Sequence, residues 1–163
     1  MKKSLDFIGL RGLSLVCNAA YIHSRVRFEE GAPERDRPLA GQSPYLVNAG
    51  LFYQHDDKGI SASLLYNRIG KRIESVGVPM QNQNEDIPDI YEMPRNSLDL
   101  TFSKKIGKVV EIKAGIQDML NSKIEYKQFV KLADENGGKR EREQLVRSYR
   151  PGVDINVGVS LKF

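Results

Sequence analysis

The chain closes with "VDINVGVSLKF", residues 153–163, in which apolar and polar side chains alternate to the end. Ile155, Val157, Val159, Leu161 and Phe163 are apolar, while Asp154, Asn156, Gly158, Ser160 and Lys162 are polar or small. A period of two places the two sets on opposite faces of a β-strand. The same period recurs upstream. Leu13, Leu15, Cys17, Ala19 and Tyr21 share a face in LSLVCNAAYIHSRVR (13–27). Tyr45, Val47, Ala49, Leu51 and Tyr53 do so in YLVNAGLFYQ (45–54), and Ile60, Ala62, Leu64 and Tyr66 in ISASLLYN (60–67). SLDLTFS (97–103) and VVEIKAGIQ (109–117) alternate likewise, and SLDFIG (4–9) has the composition of a partial strand. The reading is all-β: six full strands plus one partial, each greasy on one face and polar on the other.

The connections carry a second signal. GLRG (9–12), HDDKG (55–59) and KKIGK (104–108) are short and suit tight turns. The stretches 28–44, 74–96 and 121–148 are long, and short and long alternate along the chain. In an antiparallel up-and-down sheet, every second connection lies at the same end, so the long loops gather at one end. Outer-membrane β-barrels sort their connections in this way, with short periplasmic turns and longer extracellular loops. Nine or more residues per strand are enough to cross a bilayer when tilted. Tyr21, Tyr45, Tyr53, Tyr66, Tyr91 and Tyr149 fall near strand ends, where an aromatic girdle is expected. Such barrels normally have an even number of strands. Seven, the first cut short, reads as the C-terminal part of a larger barrel.

Composition narrows the function. A chain of 163 residues suits one domain, and no apolar run reaches the roughly 18 residues of a transmembrane helix. The net charge of +4 is spread among acids, without the basic, aromatic-studded stripe of a nucleic-acid binder. Cys17 is the one cysteine, which excludes an internal disulfide or a cysteine metal cluster. The N-terminus begins like a secretory signal, but Asp6 and Arg11 interrupt its apolar part. His23 and His55 are the only histidines, and His55 beside Asp56 and Asp57 reads as a solvated turn. IGKR (69–72) lacks the residues of a phosphate loop, and no nucleophile elbow frames a serine. Glu85, Asp86, Asp89 and Glu92 offer hard oxygens but lack the spacing of a calcium loop. No enzyme and no cofactor is expected. Gln81, Asn82, Gln83 and Asn84 are the candidate ligand-facing residues, placed to bond sugar hydroxyls from a loop. Asn67, Asp99, Glu111, Lys113 and Asn156 are expected on the wet, inner face.

Four segments together carry a resemblance: RPLAGQSPYLVNAGLFYQ (37–54), LLYNRIGKRIESVG (64–77), DIYEMPRNSLDLTFSKKI (89–106) and IKAGIQDMLNS (112–122). With the closing YRPGVDINVGVSLKF (149–163), they resemble the C-terminal third of a TonB-dependent outer-membrane receptor, most of all the large Bacteroidetes type. The resemblance implies a 22-stranded barrel closed by an N-terminal plug that residues 1–163 do not contain. It implies uptake of an iron chelate, cobalamin, a glycan or a peptide, energised by an inner-membrane coupling protein. Phe163 resembles the terminal aromatic read by the barrel assembly machinery. The remaining partners would be the outer-membrane lipid bilayer and the rest of the barrel and plug. Two other readings of the strands stay open: a self-contained eight-stranded barrel with a structural or adhesive role, and a soluble β-sandwich or ligand-binding barrel. The mean hydropathy of −0.45 suits the last but is also met by barrels with polar lumens.

Overall fold

A computed structural model describes residues 2–4, 11–32, 36–79, 86–133 and 139–161. The protein is all-β and antiparallel, with eleven strands among these residues. The first seven are β1 (Lys2–Ser4), β2 (Leu13–Tyr21), β3 (Tyr45–His55), β4 (Ile60–Ile69), β5 (Arg72–Ser75), β6 (Ile90–Glu92) and β7 (Arg95–Ile106). The rest are β8 (Val110–Gln117), β9 (Ile124–Ala133), β10 (Lys139–Tyr149) and β11 (Asp154–Leu161). Seven of them form a large sheet in the order β1-β2-β3-β4-β7-β8-β11, and the other four form a small sheet in the order β10-β9-β6-β5.

Both sheets follow from one meander. β5 leaves β4 after Gly70 and Lys71, and β6 enters β7 through Met93 and Pro94. β9 and β10 extend β8 and β11 in the same way across 118–123 and 150–153. The small sheet therefore repeats the order of four large-sheet strands beyond their ends. Backbone bonds hold the connecting segments to each level, Met93 N to Glu125 O of β9 (2.9 Å) and Met119 N to Leu98 O of β7 (2.8 Å). The turns at 56–59 and 107–109 lie at one end of the large sheet, and the longer connections 22–44, 70–94 and 118–153 lie at the other.

The large sheet has six long strands and one of three residues. The stretches 74–96 and 121–148, read from sequence as loops, hold β6, β9, β10 and the end of β5 instead. β2 stops at Tyr21, short of residue 27. Beyond it, Ile22 N donates to Pro44 O (2.9 Å), but Pro44 has no N–H to return, and the ladder ends there.

The molecule is one layer thick. Extensive strand contacts occur between hydrogen-bonded neighbours, with no sheet packed face to face on another among the described residues. Soluble domains bury a sheet face against a second layer. Here Ile73, Ile124 and Tyr126 are the buried hydrophobic side chains among the described residues, and all three belong to the small sheet. The accessible surface is 12001 Å² for 18.4 kDa, against about 8,200 Å² for a compact monomer of that mass. Among the described residues the large sheet does not close: β1 pairs with β2 alone and β11 with β8 alone.

Candidate functional site

Register sorts the side chains of the large sheet onto two faces. Asn67 stands opposite Asn48, Asp99 opposite Leu65, Thr101 opposite Gly115, and Gly115 opposite Asn156. Asn67, Asp99, Glu111, Lys113 and Asn156 thus share one face, as the alternation predicts. On it Asn18, Asn48 and Asn67 stand abreast across β2, β3 and β4, and Asn67 Nδ2 donates to Asn48 Oδ1. Gly50 leaves room for the Phe52 ring and Leu65 to lie over its backbone. Together these residues and Asp99 line a shallow cavity of about 290 Å³. Lys113 and Glu111 lie 3.6 Å apart on one strand, the lysine exposed and the glutamate half-buried.

The other face is apolar across six strands. Leu15, Leu51, Leu64, Leu100 and Ile116 form a continuous row through successive register pairs, and Cys17, Ala49, Tyr66 and Leu98 form the row beside it. No described residue packs over this face as a second layer. Ile155, Val157 and Val159 are 70%, 72% and 63% exposed, and Phe102 is 42% exposed. At its long-connection end, Tyr21 and Tyr45 are cross-strand partners, with Tyr66 and Arg68 on the next strand. Tyr53 lies toward the opposite end. Tyr91 and Tyr149, expected near strand ends in an aromatic girdle, belong instead to the small sheet.

Between the two sheets runs a polar belt. Arg95 pairs with Asp118, and Asp118 N donates to Asp99 Oδ1 (2.8 Å). Asp118 and Asn121 hold φ of 52° and 42°, a left-handed conformation that Asp and Asn tolerate better than most residues. Asn121 also gathers the return strand, its carbonyl accepting from Arg150 Nη1 (2.7 Å) and its Oδ1 from Gly152 N (3.1 Å). Arg95 Nε and Asp118 Oδ1 are buried without a hydrogen-bond partner, so the pair depends on its one strong contact. Asp118→Asn keeps the backbone preference and removes the charge. It should cost about 1–2 kcal/mol, below the loss at a fully buried pair because both side chains keep some exposure. Amide exchange of β9 and β10 should accelerate about tenfold, with β3 and β4 unchanged.

The small sheet is held by aromatic and charged pairs. Lys71 Nζ lies 3.7 Å from the centroid of the Phe129 ring and 4.1 Å from that of Tyr91. Arg147 stacks on Tyr126, which stacks on Tyr149. Burial, then the nearby Asp89 carboxylate, pushes the Tyr91 phenol up from its ordinary pKa. A hydrogen bond to Glu143, 2.6 Å away, holds the Lys127 ammonium above its ordinary range.

The expected ligand residues Gln81, Asn82, Gln83 and Asn84, and the terminal Phe163, lie outside the described residues. Of the acidic stretch, Asp89 accepts from Gly77 N (2.8 Å) and Glu92 pairs with Arg72 (2.7 Å), so both carboxylates are engaged by protein. His55 Nδ1 accepts from Lys58 N (3.4 Å) within its turn. No group of three or more metal-ligating side chains occurs among the described residues. The pair Arg95–Asp118 and the cation Arg68 escape a strand-by-strand reading, because only the pairing of strands brings their partners together. Comparisons with protein-family models, with curated proteins and with solved structures find no match.

Proposed function

We propose that this chain is the C-terminal barrel portion of a TonB-dependent outer-membrane receptor that imports a nutrient such as an iron chelate, cobalamin, a glycan or a peptide. The observation that carries the reading is the single two-faced layer: an uncovered apolar face across six strands backed by a polar one. In water such a face needs a second layer. In an outer membrane, lipid supplies that layer, and the polar face lines a wet lumen. Large-sheet strands β2, β3, β4, β7, β8 and β11 run 8 to 12 residues, close to the 9–11 or so that span a bilayer.

The open edges support a larger assembly. Unpaired backbone in hydrocarbon costs several kcal/mol per group, so β1 and β11 require neighbouring strands. On this reading the rest of the barrel supplies them and a plug fills the lumen. An inner-membrane coupling protein provides the energy, and the assembly machinery reads Phe163. The small sheet would stand above the outer leaflet, where ligand arrives. The self-contained eight-stranded barrel needs an eighth strand to join the edges of β1 and β11, and the soluble sandwich needs a layer over the apolar face.

Fractionation tests the reading. The full-length protein, expressed in a Gram-negative host, should sediment with outer membranes and resist urea extraction. DNA upstream of Met1 should encode further strands, a plug and an energy-coupling segment. Recovery as a monodisperse monomer without detergent would contradict membrane residence. A promoter and signal sequence directly before Met1 would contradict the receptor reading.

A further inference from the structure

In β2, β3, β4, β7, β8 and β11 the apolar face carries two Lys or Arg residues among those described, Arg68 and Lys104, one near each end. Lys104 stands opposite Ile60, eight residues from Arg68 along β4, so the two bracket about 27 Å of apolar strand. Lys104 bends to the turn, where its Nζ donates to Lys58 O (2.6 Å). Arg68, at the long-connection end, is held differently. Its Nη1 donates to Asn96 Oδ1 (2.9 Å), which also accepts from Tyr66 Oη (2.9 Å), and its Nε reaches Tyr45 Oη at 3.4 Å.

All three neighbours are neutral. Arg25, Arg72, Arg95 and Arg147 each face a carboxylate, whereas Arg68 forms no ion pair among the described residues. A partly buried guanidinium, fixed in orientation at the edge of an apolar surface, thus has no counter-ion among the described residues. The anion that fits must be planar-fork compatible and attached to something apolar enough to lie on the adjoining face. We propose that Arg68, flanked by Tyr45 and Tyr66, binds the phosphate of a lipid headgroup. The planar guanidinium offers paired N–H donors to phosphate oxygens, the geometry in which arginine outperforms lysine. The acyl chains then lie along Leu64, Leu100 and their neighbours. This inference rests on the membrane reading above.

The full-length protein in detergent, examined by native mass spectrometry with phosphatidic acid, tests it. Wild-type protein should retain a phosphatidic acid adduct in preference to a galactosyl diacylglycerol, which lacks phosphate. Arg68→Gln should weaken that adduct by about tenfold, with Arg68→Lys intermediate. Protease protection in phosphatidylcholine vesicles checks that each variant still inserts. Variants that insert but keep the wild-type adduct overturn the lipid site and leave the membrane reading standing. Wild-type protein that fails to insert overturns both. Glycerol phosphate bound as tightly as phosphatidic acid would show a site for free phosphate and contradict the lipid assignment.

Discussion

Leu100→Lys should destabilise the bilayer-embedded protein by roughly 2–4 kcal/mol, whereas Thr101→Lys, one residue on, should change stability by about 0.5 kcal/mol or less. Leu100 sits mid-strand in β7, between Leu64 and Ile116 on the apolar face. On the proposed membrane reading, an ammonium there would meet hydrocarbon near the middle of the membrane. Thr101 lies between Ser63 and Gly115 on the polar face, where a lysine meets water. Val157→Lys on β11 should behave like Leu100→Lys, since Val157 stands opposite Ala114 on the same apolar face. Denaturant titration in phospholipid vesicles measures all three. Equal costs for Leu100→Lys and Thr101→Lys would show that the two faces meet the same medium.

Ile73→Ala should be the most damaging truncation in the small sheet, at about 3 kcal/mol. Ile73 is 1% exposed, the most buried large side chain among the described residues. It stands opposite Tyr91, and its carbonyl accepts from Gly41 N (2.7 Å), which ties the 22–44 connection to β5. The truncation leaves a void at the junction of hairpin and connection. Val78→Ala, in the same hairpin but at a residue 52% exposed, should cost about 0.5 kcal/mol or less. Amide exchange at residues 72–78 and 87–92 separates the two, with large opening in the first variant alone. Similar exchange in both would mean that Ile73 is not the anchor of the small sheet.

The large sheet was legible because each of its long strands sets an apolar row against a polar one, so period 2 survives in the sequence. The small sheet was less so. β5 and β6 are 4 and 3 residues long, too short to display a period. β10, KREREQLVRSY, carries charge on both faces, a composition that reads as a solvated loop. It pairs with β9 along their shared hairpin and through Lys127–Glu143 and Arg147 over Tyr126. Charged edge strands also resist unwanted pairing, which fits the position of β10 at the border of its sheet.

The candidate site was legible in part. The polar face followed from alternation alone, and Tyr21 and Tyr45 could be placed at one rim from their positions in the strands. Arg68 reads in isolation as a flaw in an apolar row, and its meaning depends on Asn96 and Tyr45, 28 and 23 residues away. Arg95 and Asp118 are separated by 23 residues and meet only because β7 pairs with β8.

Spin-label accessibility tests the central claim most directly. In a Cys17→Ser background, single cysteines placed at Leu64, Leu100 and Ile112 and at Ser63, Thr101 and Lys113 report each face in lipid vesicles. Labels at the first three should favour collisions with oxygen, and labels at the second three with a water-soluble nickel complex, switching residue by residue along each strand. Nickel accessibility at Leu64, Leu100 and Ile112 equal to that at their neighbours would contradict a lipid-facing sheet.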